Sequence, residues 1–403
     1  MKKFDGIVCI SQTSWQGDYQ KAVVQLMTEL SERHKVLYID YQYTLKDWLL
    51  GVVGRRSVPV RQLIRLSNPL SKKTFDGGRE VYVWTPPLML PLNWLPNGAH
   101  DKLMQLSINR MMASLRPVLR RLAIHQPLVI NAFNPVSGVP MLGKLNECAT
   151  IYYCYDEITM TGNWMSRHGR RYEQQYLPLV DACVTTSETL CRAKSVWQPS
   201  TFCVKNGANF DLFNLARQRA ADRPPAKPTV GYLGGVDYRF DINLVEHCAR
   251  TMPDVEFQFI GRVDEPQIPT RLLAYPNVTF TPPHPPKELP ALLANFSAAM
   301  IPFVCNEHTY TIYPLKINEY LAAGLPVVST PFSLLDDFED VIELAARPEE
   351  FAQALRRALA DTSPERMQQR IEMARSNSWE KRAKEFEEVL RRTPAAWSAL
   401  QYT

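Results

Sequence analysis

Between Tyr313 and Pro331 the chain reads YPLKINEYLAAGLPVVSTP, a short helix followed at once by a buried strand. Pro314 opens the helix, where its missing N–H has no intrahelical partner to lose, and Gly324 closes it in the left-handed conformation. Leu325–Val328 is a continuous apolar run, as in a parallel strand covered on both faces. Leu315, Asn318, Leu321 and Ala322 form a packing face, while Lys316 and Glu319, three apart, share another. A cation in the first turn and a carboxylate one turn later suit a nucleoside diphosphate. The ammonium and the helix N-terminal amides meet phosphate, and the carboxylate accepts from ribose hydroxyls. An ordinary solvated helical pair, worth about 0.2–0.5 kcal/mol, fits the spacing equally well.

The 403 residues suffice for two or three domains, and 45% hydrophobic with 22% charged residues is an ordinary soluble composition. A formal net charge of +5 gives no indication of nucleic acid. The eight cysteines form no C-x-x-C pair and sit mostly in apolar runs, as reduced thiols of a cytoplasmic protein do. MKKFDGIVCIS, followed by polar SQTSWQGDYQ, reads as a first strand and its loop, not a signal peptide. No apolar run approaches the roughly 20 residues of a transmembrane helix.

A strand at Phe4–Ile10, a helix at Tyr19–Arg33 and a strand at Lys35–Asp40 imply a parallel sheet. The first loop carries Trp15, Gly17 and Asp18 without a G-x-G-x-x-G series, so it either holds part of a substrate or simply closes the unit. Leu45–Phe75 then mixes Lys46, Arg55, Arg56, Arg61, Arg65, Lys72 and Lys73 with Trp48, Leu49, Leu50, Val52 and Val53, a pattern suited to an anionic membrane surface. Asp101–His125 is a second, weaker stretch of that kind; ordinary amphipathic helices are the alternative for both. Strands are predicted at Glu80–Trp84, Leu128–Phe133, Thr150–Tyr155, Ala182–Thr186 and Phe202–Lys205. A polar, proline-rich linker at Arg217–Pro228 precedes a second alternation, with strands at Thr229–Leu233, Glu256–Ile260, Val278–Thr281 and Ala298–Phe303. Ser378 caps a last helix.

In the second alternation Gly234 and Gly235 permit close backbone approach after its first strand, or form a plain tight turn. Arg262 suits a phosphate, or the surface. Tyr310 and Tyr313 flank the phosphate end of the helix. In the first, Asp156 of YYCYDE ends a buried strand, placed as a general base or as a turn cap. Arg167 and His168 suit an anionic acceptor or a solvated basic face, and no second histidine or cysteine makes a metal site with His168.

These residues resemble a known family. YPLKINEYLAAGLPVVSTP is similar to the donor-site signature of GT-B glycosyltransferases, which transfer sugars from nucleotide diphosphates. NGANFDLF (Asn206–Phe213), TVGYLGGVDYRFD, FIGR and SWEKRAKEFEEVL extend the likeness over the second domain; the first resembles the family only in outline. The resemblance implies an α/β fold of two Rossmann-like doubly wound domains facing across a cleft. Residues 1–205 would bind acceptor, 206–377 nucleotide-sugar, and the helix of 378–403 would cross back onto the first domain. By position Glu319 matches the ribose-binding glutamate, Lys316 the diphosphate lysine, and Leu315 a residue whose backbone faces the phosphates. Common retaining members carry another glutamate where this chain has Thr311. The pattern looks closer to xanthan-type glucuronosyltransferases and teichuronic-acid-type enzymes, which resemble inverting transferases with an aspartate base, here Asp156. The implied reaction needs no metal or other cofactor. It moves a sugar from a UDP-sugar, UDP-glucuronate among the candidates, to a lipid-linked or saccharide acceptor in bacterial polysaccharide biosynthesis. It would occur in the cytoplasm, peripherally on the inner face of the cell membrane. A retaining transferase, a sugar-nucleotide epimerase and an idle binding module are the alternatives.

Overall fold

The computed structural model describes residues 4–16, 21–160, 164–222 and 227–393. They divide into two compact units, one of the described residues up to Lys205 with those from Ala383 onward, the other Asn206–Arg382.

The first unit is built on eight strands: β1 (Ile7–Ser11), β2 (Val36–Ile39), β3 (Leu70–Thr74), β4 (Glu80–Trp84), β5 (Leu128–Ala132), β6 (Ala149–Cys154), β7 (Ala182–Thr185) and β8 (Thr201–Cys203). Their order is β3-β4-β2-β1-β5-β6-β7-β8, parallel except for β3 on the edge. Strand order reverses beside β1, which pairs with both β2 and β5 and opens a crevice at the strands' carboxyl ends. The central strands are apolar on both faces because helices cover both.

The basic stretch Leu45–Phe75 forms the helices Leu45–Val52 and Val60–Leu63 followed by β3. The second basic stretch falls on the helix Asn97–Arg121, which buries Met104, Ile108, Met111, Met112, Leu115 and Leu119. Most of its apolar stripe is spent on the core, and Leu106 is exposed beside Lys102, Arg110, Arg116, Arg120 and Arg121.

The second unit carries β9 (Thr229–Leu233), β10 (Glu256–Ile260), β11 (Val278–Thr281), β12 (Ala298–Ile301), β13 (Val327–Ser329) and β14 (Glu343–Leu344). All pair in parallel, in the order β11-β10-β9-β12-β13-β14, with the reversal between β9 and β12. Val230, Tyr232, Phe257, Phe259, Met300 and Val328 meet Ile317, Tyr320, Leu321 and Leu355 in one core. The expected linker at Arg217 instead begins as the end of the helix Phe210–Asp222. The helix Trp379–Arg392 starts where Ser378 Oγ accepts from the Lys381 amide at 3.4 Å. Its later residues belong to the first unit, where Glu387 pairs with Arg33 at 2.6 Å and Phe386 meets Tyr153 edge-on.

Candidate active site

The second unit's pocket grows from the ends of β9, β10 and β11 and the start of the helix Leu315–Ala322. The Leu233 amide, last in β9, donates to the hydroxyl of Tyr320 at 2.7 Å, so this helix fixes the strand end. Gly234 follows at φ 141°, and Gly261 after β10 at φ 150°. A Cβ on Gly261 would stand 2.1 Å from the Gly234 carbonyl oxygen, and one on Gly234 would stand 2.3 Å from Lys316 Cε. The two loops therefore stack backbone on backbone with the lysine stem laid over Gly234, and only glycine fits either place. Gly235 is different: a Cβ there would meet nothing nearer than 3.6 Å. The close approach expected of Gly234-Gly235 thus rests on Gly234 and Gly261.

These loops, with Ile260, Pro283, His284, Leu289, Leu315, Lys316 and Glu319, line one open pocket. Pro314 stands just before the helix as its N-cap and supplies no side-chain bond to the first-turn amides. Lys316 Nζ sits 5.4 Å from the ring centres of both Tyr232 and Phe303, over aromatic faces instead of against a carboxylate. Burial, with Arg239 nearby, pulls the Lys316 pKa down to about 8, only partly offset by Glu319 and Asp237. Burial pushes Glu319 up to about 7 against the pull of Lys316. Both groups line the pocket, and their shifts arise chiefly from burial there.

Of the other donor-side expectations, Tyr313 is a core residue. It is 5% exposed, its ring lies against Phe338, and its hydroxyl accepts from Asn318 Nδ2 at 3.4 Å. Tyr310 is exposed on the short turn Thr309–Thr311 and does not line the pocket. Arg262 turns to Asp264 at 2.7 Å on the surface, and its carbonyl accepts from the Val236 amide.

In the first unit, Asp156 follows β6 as expected, and its Oδ1 accepts from the Glu157 amide at 2.8 Å. The Tyr155 hydroxyl meets Thr13 Oγ1 at 2.9 Å, joining the loops after β6 and β1. Trp15 packs edge-on against Tyr38 and donates its amide to Asp40 Oδ1 at 2.7 Å. Asp40, unforeseen in the sequence, is buried at the end of β2. Burial raises its pKa against the Trp15 and Tyr41 amides that bind it. Trp15, Asp40 and Asp156 thus share one crevice edge. Gly17 lies outside the described residues. Arg167 is exposed, but His168 is fully buried and stacked on His100 at 4.0 Å, which removes it as an acceptor contact.

Residues 227–361 match the family model described as glycosyl transferases group 1. A protein of Bacillus subtilis (strain 168) described as a teichuronic acid biosynthesis glycosyltransferase, TuaH, is 27% identical over 212 residues, covering 48% of this chain and 53% of that protein. The chain thus spans about half the length of this curated relative. Among solved structures, sucrose-phosphate synthase from Thermosynechococcus elongatus superposes with a TM-score of 0.70 at 16% identity, over 97% of this chain and all of that one. HepE of Anabaena in complex with UDP gives 0.59 at 12% identity, over 96% of this chain and all of that one. The fold is GT-B, and residues 227–361 carry the pattern of a glycosyltransferase family.

Within this GT-B chain one charged residue escaped the sequence reading. Arg239 grips Asp237 through Nε at 2.9 Å and Nη2 at 2.5 Å and lies over Phe303, beside the Lys316 ammonium. Asp-x-Arg two residues past a Gly-Gly turn was a legible signal. His284 was not: its Nδ1 meets Glu288 at 2.8 Å while its ring lines the pocket, and only the fold brings the loop after β11 there.

Proposed function

We propose that this protein transfers a sugar from a nucleoside diphosphate donor, a UDP-sugar, to a lipid-linked or saccharide acceptor in bacterial polysaccharide biosynthesis. The observation that carries this is the Lys316–Glu319 pair at the mouth of an uncapped helix N-terminus, over two glycine loops. The helix amides, Lys316 and Arg239 meet the diphosphate and stabilise the charge that grows on it as the glycosidic bond breaks. Glu319 accepts from the ribose hydroxyls, and Leu233, Ile260, Pro283 and Leu289 offer an apolar floor to the base. This chemistry needs no metal. Asp156 takes the proton of the acceptor hydroxyl, which attacks the anomeric carbon and inverts it. The teichuronic acid description of the Bacillus relative supports a polysaccharide setting, and HepE, solved with UDP, supports the uridine nucleotide.

Membrane contact is part of the proposal. Leu45, Leu49, Val52, Val53 and Leu66 are 46–75% exposed on a stretch that also exposes Lys46, Arg55 and Arg61, the apolar and cationic mix that an anionic membrane surface takes. Arg56 and Arg65 contribute less, since Arg56 pairs with Asp47 and Arg65 lies over Trp84 and donates to the Thr85 carbonyl.

The test is conversion of UDP-glucose, UDP-N-acetylglucosamine and UDP-glucuronate with a lipid-linked saccharide acceptor, and the anomeric configuration of the product by NMR. An inverted product supports the reading; a retained configuration, or change of the donor without any acceptor, replaces it by one of the alternatives.

A further inference from the structure

Beneath the loop that carries Asp156 lies a buried ionic cluster whose members do not line the donor pocket. Lys194, 5% exposed on the helix Glu188–Ser195, reaches Glu157 Oε2 at 2.9 Å and Glu173 Oε2 at 2.8 Å. Glu173, 4% exposed, also accepts from the Tyr152 hydroxyl of β6 at 2.8 Å. Glu157 Oε1 accepts from the amide and hydroxyl of Thr159 at 3.2 and 3.1 Å, closing the loop on itself. Burial alone would discharge Lys194, but Cys154, Glu173 and Glu157 more than reverse that and keep it above the ordinary lysine range. Burial opposes the charge on Glu157 too, and the adjacent ammonium outweighs it, holding the carboxyl below its usual range.

Two helices and a strand thus converge on the residue next to Asp156. A buried ion pair is weak evidence for stability, since apolar residues of similar volume would serve the core as well. What this cluster does is fix Glu157, whose amide donates to Asp156 Oδ1 at 2.8 Å, while the Asp156 carbonyl accepts from Cys154 Sγ at 3.3 Å.

We propose that Glu157 and Lys194 are positioning residues for the transfer step, setting the direction in which Asp156 presents its carboxylate to the acceptor. The inference rests on Asp156 as the base. Neither residue touches substrate; both act through the loop, and a small misplacement of a reacting group is enough to cost rate.

The experiment follows nucleoside diphosphate release from UDP-glucose, UDP-N-acetylglucosamine, UDP-glucuronate and GDP-mannose, with octyl glucoside as probe acceptor. Wild type is compared with Asp156→Asn, Glu157→Gln, Glu173→Gln and Lys194→Arg. Glu157→Gln keeps the shape of the side chain and is expected to lose at least about tenfold in kcat, with donor KM unchanged and the acid limb of the pH profile displaced. Lys194→Arg, which keeps the charge, is expected to restrict the loss to about twofold. Glu173→Gln is expected to melt lower yet retain kcat, which separates positioning from core stability. Wild-type kcat and pH profile in Glu157→Gln beside an inactive Asp156→Asn overturns the positioning inference alone. Full activity in Asp156→Asn, or no release by the wild type from every donor, overturns the reading on which it rests.

Discussion

Lys316 lies across Gly234 so closely that a single methyl group on the glycine would stand 2.3 Å from Lys316 Cε and 2.9 Å from Nζ. The glycine is therefore the seat of the lysine as well as a turn residue, and φ 141° makes any side chain there strained in its own right. Gly234→Ala should fold with a displaced Lys316 and bind UDP at least about tenfold more weakly, the cost of one charge-assisted contact. Gly235→Ala, with nothing nearer than 3.6 Å, should retain a folded pocket. Calorimetric titration of both variants with UDP checks the contrast.

The Lys316–Glu319 pair also implies a trade between stability and binding. Lys316 titrates at about 8 when folded, against 10.5 for a free lysine, so its penalty is fully present below about 8 and fades as pH rises toward 10.5. Glu319 titrates at about 7 against 4.5, so its penalty is absent below 4.5 and fully present above about 7. Both penalties stand together between about 7 and 8. Lys316→Met with Glu319→Gln should therefore raise the stability of the second unit there, by on the order of 1 kcal/mol, while abolishing UDP binding. Thermal melts across pH, with and without UDP, check both signs.

Binding itself should follow the same two groups. The diphosphate wants Lys316 charged and the ribose wants Glu319 ionised, so affinity for UDP should be greatest between about 7 and 8. It should fall as Glu319 gains its proton below that window and as Lys316 loses its own above it. The Glu319→Gln variant should lose the acid limb of that profile.

Asp156→Asn should leave UDP affinity unchanged and reduce transfer by roughly 10²–10⁴-fold, the usual contribution of a positioned general base. Asp40, whose carboxylate is occupied by the Trp15 and Tyr41 amides, should act through the fold of that loop. Asp40→Asn should therefore lower stability more than rate. Steady-state kinetics beside melting curves separates the two.

The exposed patch on the helix Leu45–Val52 should direct the protein to anionic vesicles. Leu49→Glu with Val53→Glu removes apolar area and adds repulsion, and should abolish flotation with phosphatidylglycerol liposomes at low salt. UDP affinity should be unchanged. Equal flotation of wild type and variant would remove the membrane from the proposal.

Where secondary structure is carried by local pattern, the sequence was enough. Strands at Glu80–Trp84, Thr229–Leu233, Glu256–Ile260 and Val278–Thr281 fall where apolar periodicity put them. Gly324 takes φ 76°, as a helix exit demands. Burial on the far side of an element was not legible. Tyr313 and His168 carry polar atoms but face the core, and nothing in one sequence tells an outward tyrosine from an inward one. The edge strand Leu70–Thr74, LSKKT, lies unmarked within the basic stretch Leu45–Phe75, because its pairing with β4 supplies what its composition lacks. Lys316 and Glu319 were legible because helical spacing is local, whereas Lys194, Glu157 and Glu173 meet only through the fold.

The measurement that bears most directly on the donor site is calorimetric titration of UDP, GDP and ADP into the wild type and Glu319→Ala. Saturable binding of UDP, tighter than GDP and ADP and lost in Glu319→Ala, is the expected result. No binding of any nucleotide, or UDP binding unchanged in the variant, would contradict a nucleoside diphosphate seated on Lys316 and Glu319.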